Sequence, residues 1–212
     1  MGGTGKEGSG LVLRWAESGY RVLIGSRDAA RAAIKADELN TILGEDIVRG
    51  LDNVQAAAEA DLVVVSVPYT AHKEIMESIK DVVQGKVVVD VAVPLNPPAV
   101  RTVYIPEGKS ASLEAQAILG ERVKLVAAFQ NVSAVHLQEY KHGVNCDVLV
   151  CGDDADAKNE IFQLIEAIEG MRAIDAGPLA NAVAVEALTP VLLYINKRYK
   201  VVGAGIRITG LE

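Results

Sequence analysis

The sequence predicts an α/β fold, a Rossmann-type doubly wound parallel sheet, followed by a small C-terminal domain. Gly3, Gly5 and Gly8 have the spacing G-x-G-x-x-G. An amphipathic stretch (residues 11–17) follows directly, and a β-run comes after it. Residues 61–67 form a near-continuous apolar run, which is typical of a strand covered on both faces of a parallel sheet. Together these features match the dinucleotide-binding fingerprint.

Each glycine of the fingerprint has a mechanical role. Gly3 makes the tight turn, Gly5 lets a pyrophosphate approach the backbone, and Gly8 lets the helix pack close to the sheet. The phosphates are then expected at the helix N-terminus, where free N–H groups and the helix dipole favour negative charge. The alternative is a glycine-rich, mobile N-terminus without a ligand.

The strand that should precede the fingerprint is missing. Only Met1 and Gly2 come before Gly3, whereas the fold needs about five apolar residues there. We therefore expect a truncated first strand and a gap in the sheet beside the nucleotide site. Our hypothesis is that the chain as given starts too late. A version with five or six more upstream residues is then expected to melt at a higher temperature or bind cofactor more tightly.

The end of the β-run, Gly25-Ser26-Arg27, predicts NADP in preference to NAD. An NAD-binding chain usually has Asp or Glu here for the ribose 2′-hydroxyl. The guanidinium of Arg27 can instead pair with a 2′-phosphate, and Ser26 can donate a further hydrogen bond. Arg31 lies one helical turn on and can add a second positive charge, while Asp28 is expected to cap the next helix. Surface charges without a ligand are the alternative for both arginines.

The chain then alternates between helical and strand patterns. Predicted helices cover residues 28–43, 53–60, 71–83 and 112–119, and predicted strands cover 46–51, 61–67, 86–91 and 122–127.

Two loops at strand ends are candidates for cofactor contact. Val67-Pro68-Tyr69 is expected at the carboxyl end of its strand, near the adenine or pyrophosphate. Tyr69 either stacks on the cofactor or is a plain loop aromatic. Val93 offers the small apolar surface that a nicotinamide face needs. The insertion at 99–112 is long enough to cover a second ligand, and its Arg101 and Lys109 can meet an acidic substrate or remain surface charges.

The last third of the sequence predicts a second unit. We place the boundary after residue 142, with an NADP-binding domain at 1–142 and a small α/β domain at 143–212. The second unit contains strands at 143–150 and 171–175, a helix at 154–168 and a long helix at 178–199 with Pro190 inside it. The long apolar helix either forms a homodimer contact or fills the core of its own chain.

Composition narrows the class of protein. The net charge of -7 argues against general nucleic-acid binding, and half of the residues are hydrophobic, enough for a large core. The apolar runs are too short for a membrane span, and no signal peptide is evident. Cys146 and Cys151 fall in one predicted strand, match no zinc pattern and are interpreted as buried thiols. These features indicate a cytoplasmic protein without a bound metal.

Motifs along essentially the whole chain resemble a known family, the NADPH-dependent reductases of coenzyme F420. The motifs are Gly2-Gly3-Thr4-Gly5, Gly25-Ser26-Arg27, Val65-Ser66-Val67-Pro68, Ala127-Ala128-Phe129-Gln130-Asn131-Val132-Ser133-Ala134, Cys151-Gly152-Asp153-Asp154, Asp175-Ala176-Gly177-Pro178-Leu179 and Leu188-Thr189-Pro190. The resemblance implies hydride transfer between NADP and a 5-deazaflavin bound in a cleft between the two domains.

The resemblance also implies roles for single residues, which divide by the ligand they contact. The pyrophosphate is bordered by Thr4, Gly5, Lys6 and Glu7, and the 2′-phosphate is held by Ser26, Arg27 and Arg31. The nicotinamide lies beside Val67, Val93 and Ala134, and the deazaflavin faces Gln130 and Val132. Gln130 departs from family members that carry His there. An amide can still hydrogen-bond a flavin-type ring, but it cannot titrate.

Two other functions stay open from the sequence. An NADP-dependent dehydrogenase of a small hydroxy or imino acid needs a proton donor, for which Lys197 is the one candidate. A non-catalytic NADP-sensing protein needs no second pocket. Hydride transfer between two flat rings needs alignment and exclusion of water rather than an acid or base, so no catalytic side chain is predicted. His72, His136 and His142 form no evident triad.

Overall fold

The computed structural model describes residues 1–211, in which helices and strands alternate along most of the chain. The helices are α1 (Lys6–Glu17), α2 (Ala29–Leu43), α3 (Asn53–Glu59), α4 (Tyr69–Ile79), α5 (Ala111–Leu119), α6 (Ala134–Gln138), α7 (Ala155–Glu166) and α8 (Ala182–Tyr199). The strands are β1 (Val22–Ser26), β2 (Val48–Asp52), β3 (Leu62–Val65), β4 (Val87–Asp90), β5 (Lys124–Ala127), β6 (Cys146–Gly152) and β7 (Met171–Asp175). The predicted α/β class is confirmed.

Short polar side chains set several helix starts. Asp28 accepts hydrogen bonds from the amides of Ala30 and Arg31 and caps α2, as the sequence predicts. Asp52 caps α3, and Asp154 caps α7. Ser110 caps α5, which therefore begins one residue earlier than predicted. The predicted long helix from residue 178 is divided into a 3₁₀ turn, Leu179–Asn181, and α8.

The central sheet has five strands in the order β3-β4-β5-β6-β7. Strands β3, β4 and β5 are parallel and in register, with Val65, Asp90 and Ala127 side by side at their carboxyl ends. Strand β6 is antiparallel to β5, and β7 is parallel to β6. The loops that leave β3, β4 and β5 therefore start from one level of one sheet edge, which is where Rossmann-type folds bind their ligands.

A gap separates this sheet from a second, two-stranded parallel sheet formed by β1 and β2. The gap is a groove of about 940 Å³ between β1 and β3. Among residues 1–211, Met1 alone extends the backbone hydrogen bonding of β3 into this gap. Its amino group donates to the Val64 carbonyl at 2.7 Å, and its own carbonyl accepts from the Ser66 amide at 3.0 Å. The sheet is thus interrupted where the sequence predicts a gap.

Helices cover both faces of the central sheet. On one face, α3, α4 and α5 pack with the start of α8 around Met76, Ile79 and Leu119. On the other face, α1 and α7 pack around Trp15 and Ile161. A third, smaller core lies under β1 and β2. Coverage of both faces is consistent with the apolar residues of β3 and with those of β4 before Asp90.

The strands beyond residue 142 continue the same sheet. β6 and β7 are its last two strands, while the 3₁₀ turn, α8 and the residues after α8 lie outside the ladder. The predicted boundary after residue 142 falls between β5 and β6. The division into two domains stays a prediction.

The segment Leu179–Tyr199 has the length and the mean hydropathy, 1.4, of a membrane-spanning helix. This segment departs from the expectation that the apolar runs of the sequence are too short for a membrane span. One helix of this kind is weak evidence for a membrane, because core helices of soluble proteins can have the same length and hydropathy.

Candidate cofactor site

The glycine-rich turn begins directly after the sheet residue Met1. The Gly5 amide donates to the Gly2 carbonyl at 2.9 Å and closes the turn. Gly2 has a φ of 81°, and a Cβ there would lie 2.5 Å from the Ser66 carbonyl oxygen, so only glycine fits. Helix α1 starts at Lys6, and its N-cap Gly5 has no side chain to satisfy the first amides. Those amides are available to an anion.

Gly8 lets α1 approach the turn and the end of β3. A Cβ on Gly8 would lie 2.5 Å from the Gly2 carbonyl oxygen and 2.7 Å from the Ser66 hydroxyl. The third glycine is therefore needed for close packing, as its place in the fingerprint predicts. Gly3 is also buried, and it lies against Ile24 of β1.

The other residues of the turn vary in exposure. Lys6 is exposed, whereas Thr4 and Glu7 are half-buried. Burial raises the pKa of the Glu7 carboxyl to about 8. A carboxyl that is mostly neutral at pH 7 does not repel a pyrophosphate bound at the start of α1.

Two arginines with no carboxylate partner lie at the start of α2. Arg27 and Arg31 are exposed, and neither forms an ion pair with a carboxylate of residues 1–211. Asp28 is engaged in capping α2, and its amide donates to the Ser26 hydroxyl at 3.2 Å. The end of β1 therefore presents one hydroxyl and two uncompensated guanidinium groups, a suitable set for a phosphate.

The loop after β3 runs beside the glycine-rich turn. Val67 is half-buried, and its Cγ1 lies 3.1 Å from where a Gly2 Cβ would stand. Pro68 is the N-cap of α4. The Tyr69 hydroxyl donates to Glu114 at 2.8 Å, and burial and this hydrogen bond raise the pKa of Tyr69. The hydroxyl is thus engaged in a hydrogen bond within the protein. Stacking of the ring on a cofactor stays a prediction.

The loop after β5 places Gln130 at the same edge as Val93. Phe129 takes a φ of 73° and packs edge-on against Trp15 at 5.8 Å. The Gln130 side chain is buried, and its Nε2 donates to the Asp90 carbonyl at 2.8 Å. Its Oε1 has no hydrogen-bond partner among the described residues. A buried amide oxygen without a partner can accept from an N–H group of a ligand.

Helix α8 reaches this loop, because the Thr189 hydroxyl donates to the Gln130 carbonyl at 2.7 Å. Val132 closes a turn with Phe129 and is only 8% exposed, so a ligand can touch only a small part of it. Ala134 is half-buried at the start of α6. The structure thus gathers Val67, Val93 and Gln130 on loops from one sheet edge.

The roles of several polar side chains in this region were not predicted from the sequence. His72 and Asp90 are fully buried and contact each other at 3.0 Å. Arg14 is buried in α1 and donates to four carbonyl groups around α6. A sequence signal existed for Asp90, since an aspartate ends the apolar strand β4. For Arg14 the amphipathic pattern of α1 gives no signal.

Other predicted candidates remain at the surface. Arg101, Lys109 and Lys197 are exposed, and Lys197 lies in the last turn of α8, where a solvated charge complements the helix dipole. Among residues 1–211 there is no cluster of three or more His, Cys, Asp or Glu that could hold a metal ion. Cys146 and Cys151 are free, buried thiols, as predicted.

The fold and this edge define the class: a Rossmann-type nucleotide-binding protein. A family model described as "NADP oxidoreductase coenzyme F420-dependent" matches residues 1–94. The F420-dependent NADP reductase of Methanothermobacter thermautotrophicus is 43% identical, covering the whole chain and 94% of that relative. The F420-dependent NADP reductase of Methanocaldococcus jannaschii is 40% identical, covering the whole chain and 97% of that relative.

A solved structure from Arthrobacter sp. FB24 has the same fold. Its TM-score is 0.81 at 24% identity, over 97% of this chain and 96% of that chain. The chain belongs to the coenzyme F420-dependent NADP oxidoreductase family. The resemblance inferred from the sequence motifs is thereby confirmed.

Proposed function

We propose that this protein transfers a hydride between NADP(H) and the 5-deazaflavin coenzyme F420, using the carboxyl edge of β3, β4 and β5. The observation that carries the proposal is the pairing of two features at one edge. One is a glycine-rich turn with uncompensated arginines nearby, and the other is a buried amide oxygen, Gln130 Oε1, without a protein partner. The 40–43% identity with F420-dependent NADP reductases over the whole chain supports it.

The glycine-rich turn, the end of β1 and the start of α2 bind NADP. Gly3, Gly5 and Gly8 let the pyrophosphate approach the start of α1, beside Thr4, Lys6 and Glu7. Ser26, Arg27 and Arg31 hold the 2′-phosphate by charge-assisted hydrogen bonds. NADP is therefore expected to bind more tightly than NAD.

The loops after β3, β4 and β5 orient the reacting rings. Val67, Pro68, Tyr69, Val93 and Ala134 surround the nicotinamide end, and Gln130 and Val132 meet the deazaflavin. The bound coenzymes themselves supply the redox chemistry. Side chains supply alignment and exclude water, and no side chain needs to gain or lose a proton.

The test is a mixing experiment. The protein is combined with NADPH and oxidised coenzyme F420, and the visible absorbance of the deazaflavin is followed, with NADH as the matched control. Fast bleaching with NADPH and much slower bleaching with NADH is the expected result. Binding of NADPH without any bleaching would contradict the proposal and favour a non-catalytic NADP-binding protein.

We further propose a cytoplasmic homodimer that uses the exposed side of α8 and the residues after it. Large apolar side chains lie exposed there: Val191, Tyr194, Tyr199, Val201 and Val202. The free thiols of Cys146 and Cys151 suit a reducing compartment. Sedimentation is expected to give twice the chain mass, and Tyr194→Asp the mass of one chain. A monomeric wild type would contradict the dimer.

A further inference from the structure

A cluster of buried polar side chains lies just behind the carboxyl end of β4. It joins Asp90 at the end of β4, His72 on α4, Ser112 on α5 and Glu186 on α8, and each is at most 2% exposed. None of these side chains was assigned a part in cofactor binding above. Buried polar groups cost free energy unless they are paired, so a full set of contacts is expected here.

Asp90 is the centre of the cluster. His72 Nε2 lies 3.0 Å from Oδ1 and 3.1 Å from Oδ2 of its carboxylate. The Ser112 hydroxyl donates to Oδ2 at 3.1 Å, and the Ala92 amide donates to Oδ1 at 3.1 Å. The four contacts fix the carboxylate plane from α4, α5 and the loop after β4.

Asp90 also touches the two loops that carry predicted ligand contacts. Through its carboxylate it holds the Ala92 amide, next to Val93. Through its backbone carbonyl it accepts from Gln130 Nε2 at 2.8 Å, which leaves Gln130 Oε1 free. A shift of Asp90 as a whole therefore acts on both loops, on the first through its carboxylate and on the second through its main-chain carbonyl.

His72 is the side chain best placed to fix Asp90. One of its two ring nitrogens, Nε2, contacts both carboxylate oxygens, and rotation of the carboxylate away from it would break the contact with Ala92. A buried ion pair or polar pair need not add net stability to a fold. We therefore consider a role in function for the contact between His72 and Asp90.

We propose that His72 is a positioning residue for hydride transfer, which acts through Asp90 to set the loops that carry Val93 and Gln130. The inference rests on the proposed function. His72 touches neither ring and passes no proton to the reactants. It keeps the two loops at the separation that brings the rings into near-attack contact.

Two substitutions test this with a built-in control. His72→Gln places an amide nitrogen near the position of Nε2 and keeps the donor to Asp90, whereas His72→Asn places it near Nδ1 and loses the donor. We expect kcat of His72→Asn to fall about tenfold or more, while the Kd for NADPH changes less than about threefold, since the 2′-phosphate contacts lie elsewhere. His72→Gln is expected to keep kcat within about threefold of wild type.

The possible results distinguish failure of the positioning role from failure of the proposed function. Wild-type kcat in both variants, or equal losses in both, would overturn the positioning role while the proposed function stands. A wild-type chain without turnover would overturn the proposed function and this inference with it. If His72→Asn does not fold, Asp90→Asn keeps the size of the side chain and removes one of the two carboxylate oxygens that the Nε2 of His72 contacts. A lower kcat with unchanged NADPH affinity then supports the role, and an unchanged kcat overturns it.

Discussion

Arg14 shows how one side chain joins two parts of the structure. It lies buried in α1, and its guanidinium donates to the carbonyls of Leu137, His142, His136 and Glu139 at 2.7–3.2 Å. These carbonyls belong to α6 and the loop after it. The planar, five-donor guanidinium satisfies groups that would otherwise be buried without partners.

Arg14→Lys is expected to lower the free energy of unfolding by about 2–3 kcal/mol, because an ammonium cannot reach all four carbonyls and leaves some unpaired. Urea unfolding of the variant measures this. Arg122→Lys, at an exposed position, is the matched control and should change little. Equal stability of the two variants would contradict the role of Arg14.

Arg27→Ala is expected to weaken NADPH binding about tenfold to a hundredfold, because a charge-assisted hydrogen bond contributes about 1.5–3 kcal/mol. NADH has no 2′-phosphate, so its affinity should stay nearly constant. Titration of both nucleotides by fluorescence measures the change, and Lys73→Ala on α4 controls for the loss of one surface charge. An equal loss for NADPH and NADH would show that Arg27 does not bind the 2′-phosphate.

Among the elements, α5 and α8 are joined by one buried carboxylate. Glu186 of α8 accepts from the amides of Ala111 at 2.7 Å and Ser112 at 3.1 Å, at the first turn of α5. Burial, with a smaller contribution from nearby Asp90, raises the pKa of Glu186 from 4.5 to about 7, although the hydrogen bonds from the Ser112 and Ala111 amides oppose the shift. His72 is the cation-forming side chain that faces the same cluster, and its pKa is raised by Asp90 against the effect of burial.

A folded-state pKa above the unfolded value means that the folded chain binds the proton more tightly. The contribution of Glu186 is therefore fully present below pH 4.5 and is lost as the pH rises through about 7. We expect the free energy of unfolding to fall between pH 5 and pH 7.5. Glu186 should account for on the order of 3 kcal/mol of this decrease. Glu186→Gln should flatten this dependence. An identical pH profile for the two chains would contradict the assignment.

Elements with caps or continuous apolar runs could be predicted from the sequence. β7 has its predicted bounds, residues 171–175, and Asp28 caps α2 as expected. Helix α6 was missed because five residues are too few to show a helical period. The start of the long helix was misplaced, since a 3₁₀ turn and an α-helix present a similar apolar pattern.

Within the whole molecule, two sheets are held together by helices and not by strand hydrogen bonds. β1 and β2 form one sheet, and α1 packs against both it and the five-stranded sheet. The proposed NADP site draws Ser26 from the end of β1, Arg27 from the residue that follows it, and the loop of Val67 from the larger sheet. A bound NADP would therefore link the two sheets.

Hydrogen exchange is expected to show the two sheets as separate units. Amides of β1 and β2 should exchange faster than those of β4 and β5 in the free protein, because the smaller sheet lacks a central partner strand. NADPH should slow exchange in β1 and β2 more than NADH does at equal concentration. Equal protection of both sheets without nucleotide would contradict this division.

The glycine-rich turn and the arginines could be predicted because each lies in a short, contiguous motif. The cluster around Asp90 could not be predicted, because its members come from separate parts of the chain. His72 and Ser112 are 18 and 22 residues from Asp90, and Glu186 is 75 residues from Ala111. Only the folded sheet edge brings these side chains together.

The central claim is direct hydride transfer between two coenzymes bound at one sheet edge. The measurement that tests it most directly uses NADPH with deuterium in both C4 positions, oxidised coenzyme F420 and ordinary water, followed by mass spectrometry of the reduced deazaflavin. We expect one carbon-bound deuterium in each reduced deazaflavin, because the hydride passes from ring to ring without exchange with solvent. Reduced deazaflavin that carries only solvent hydrogen, or no reduced product at all, would contradict it.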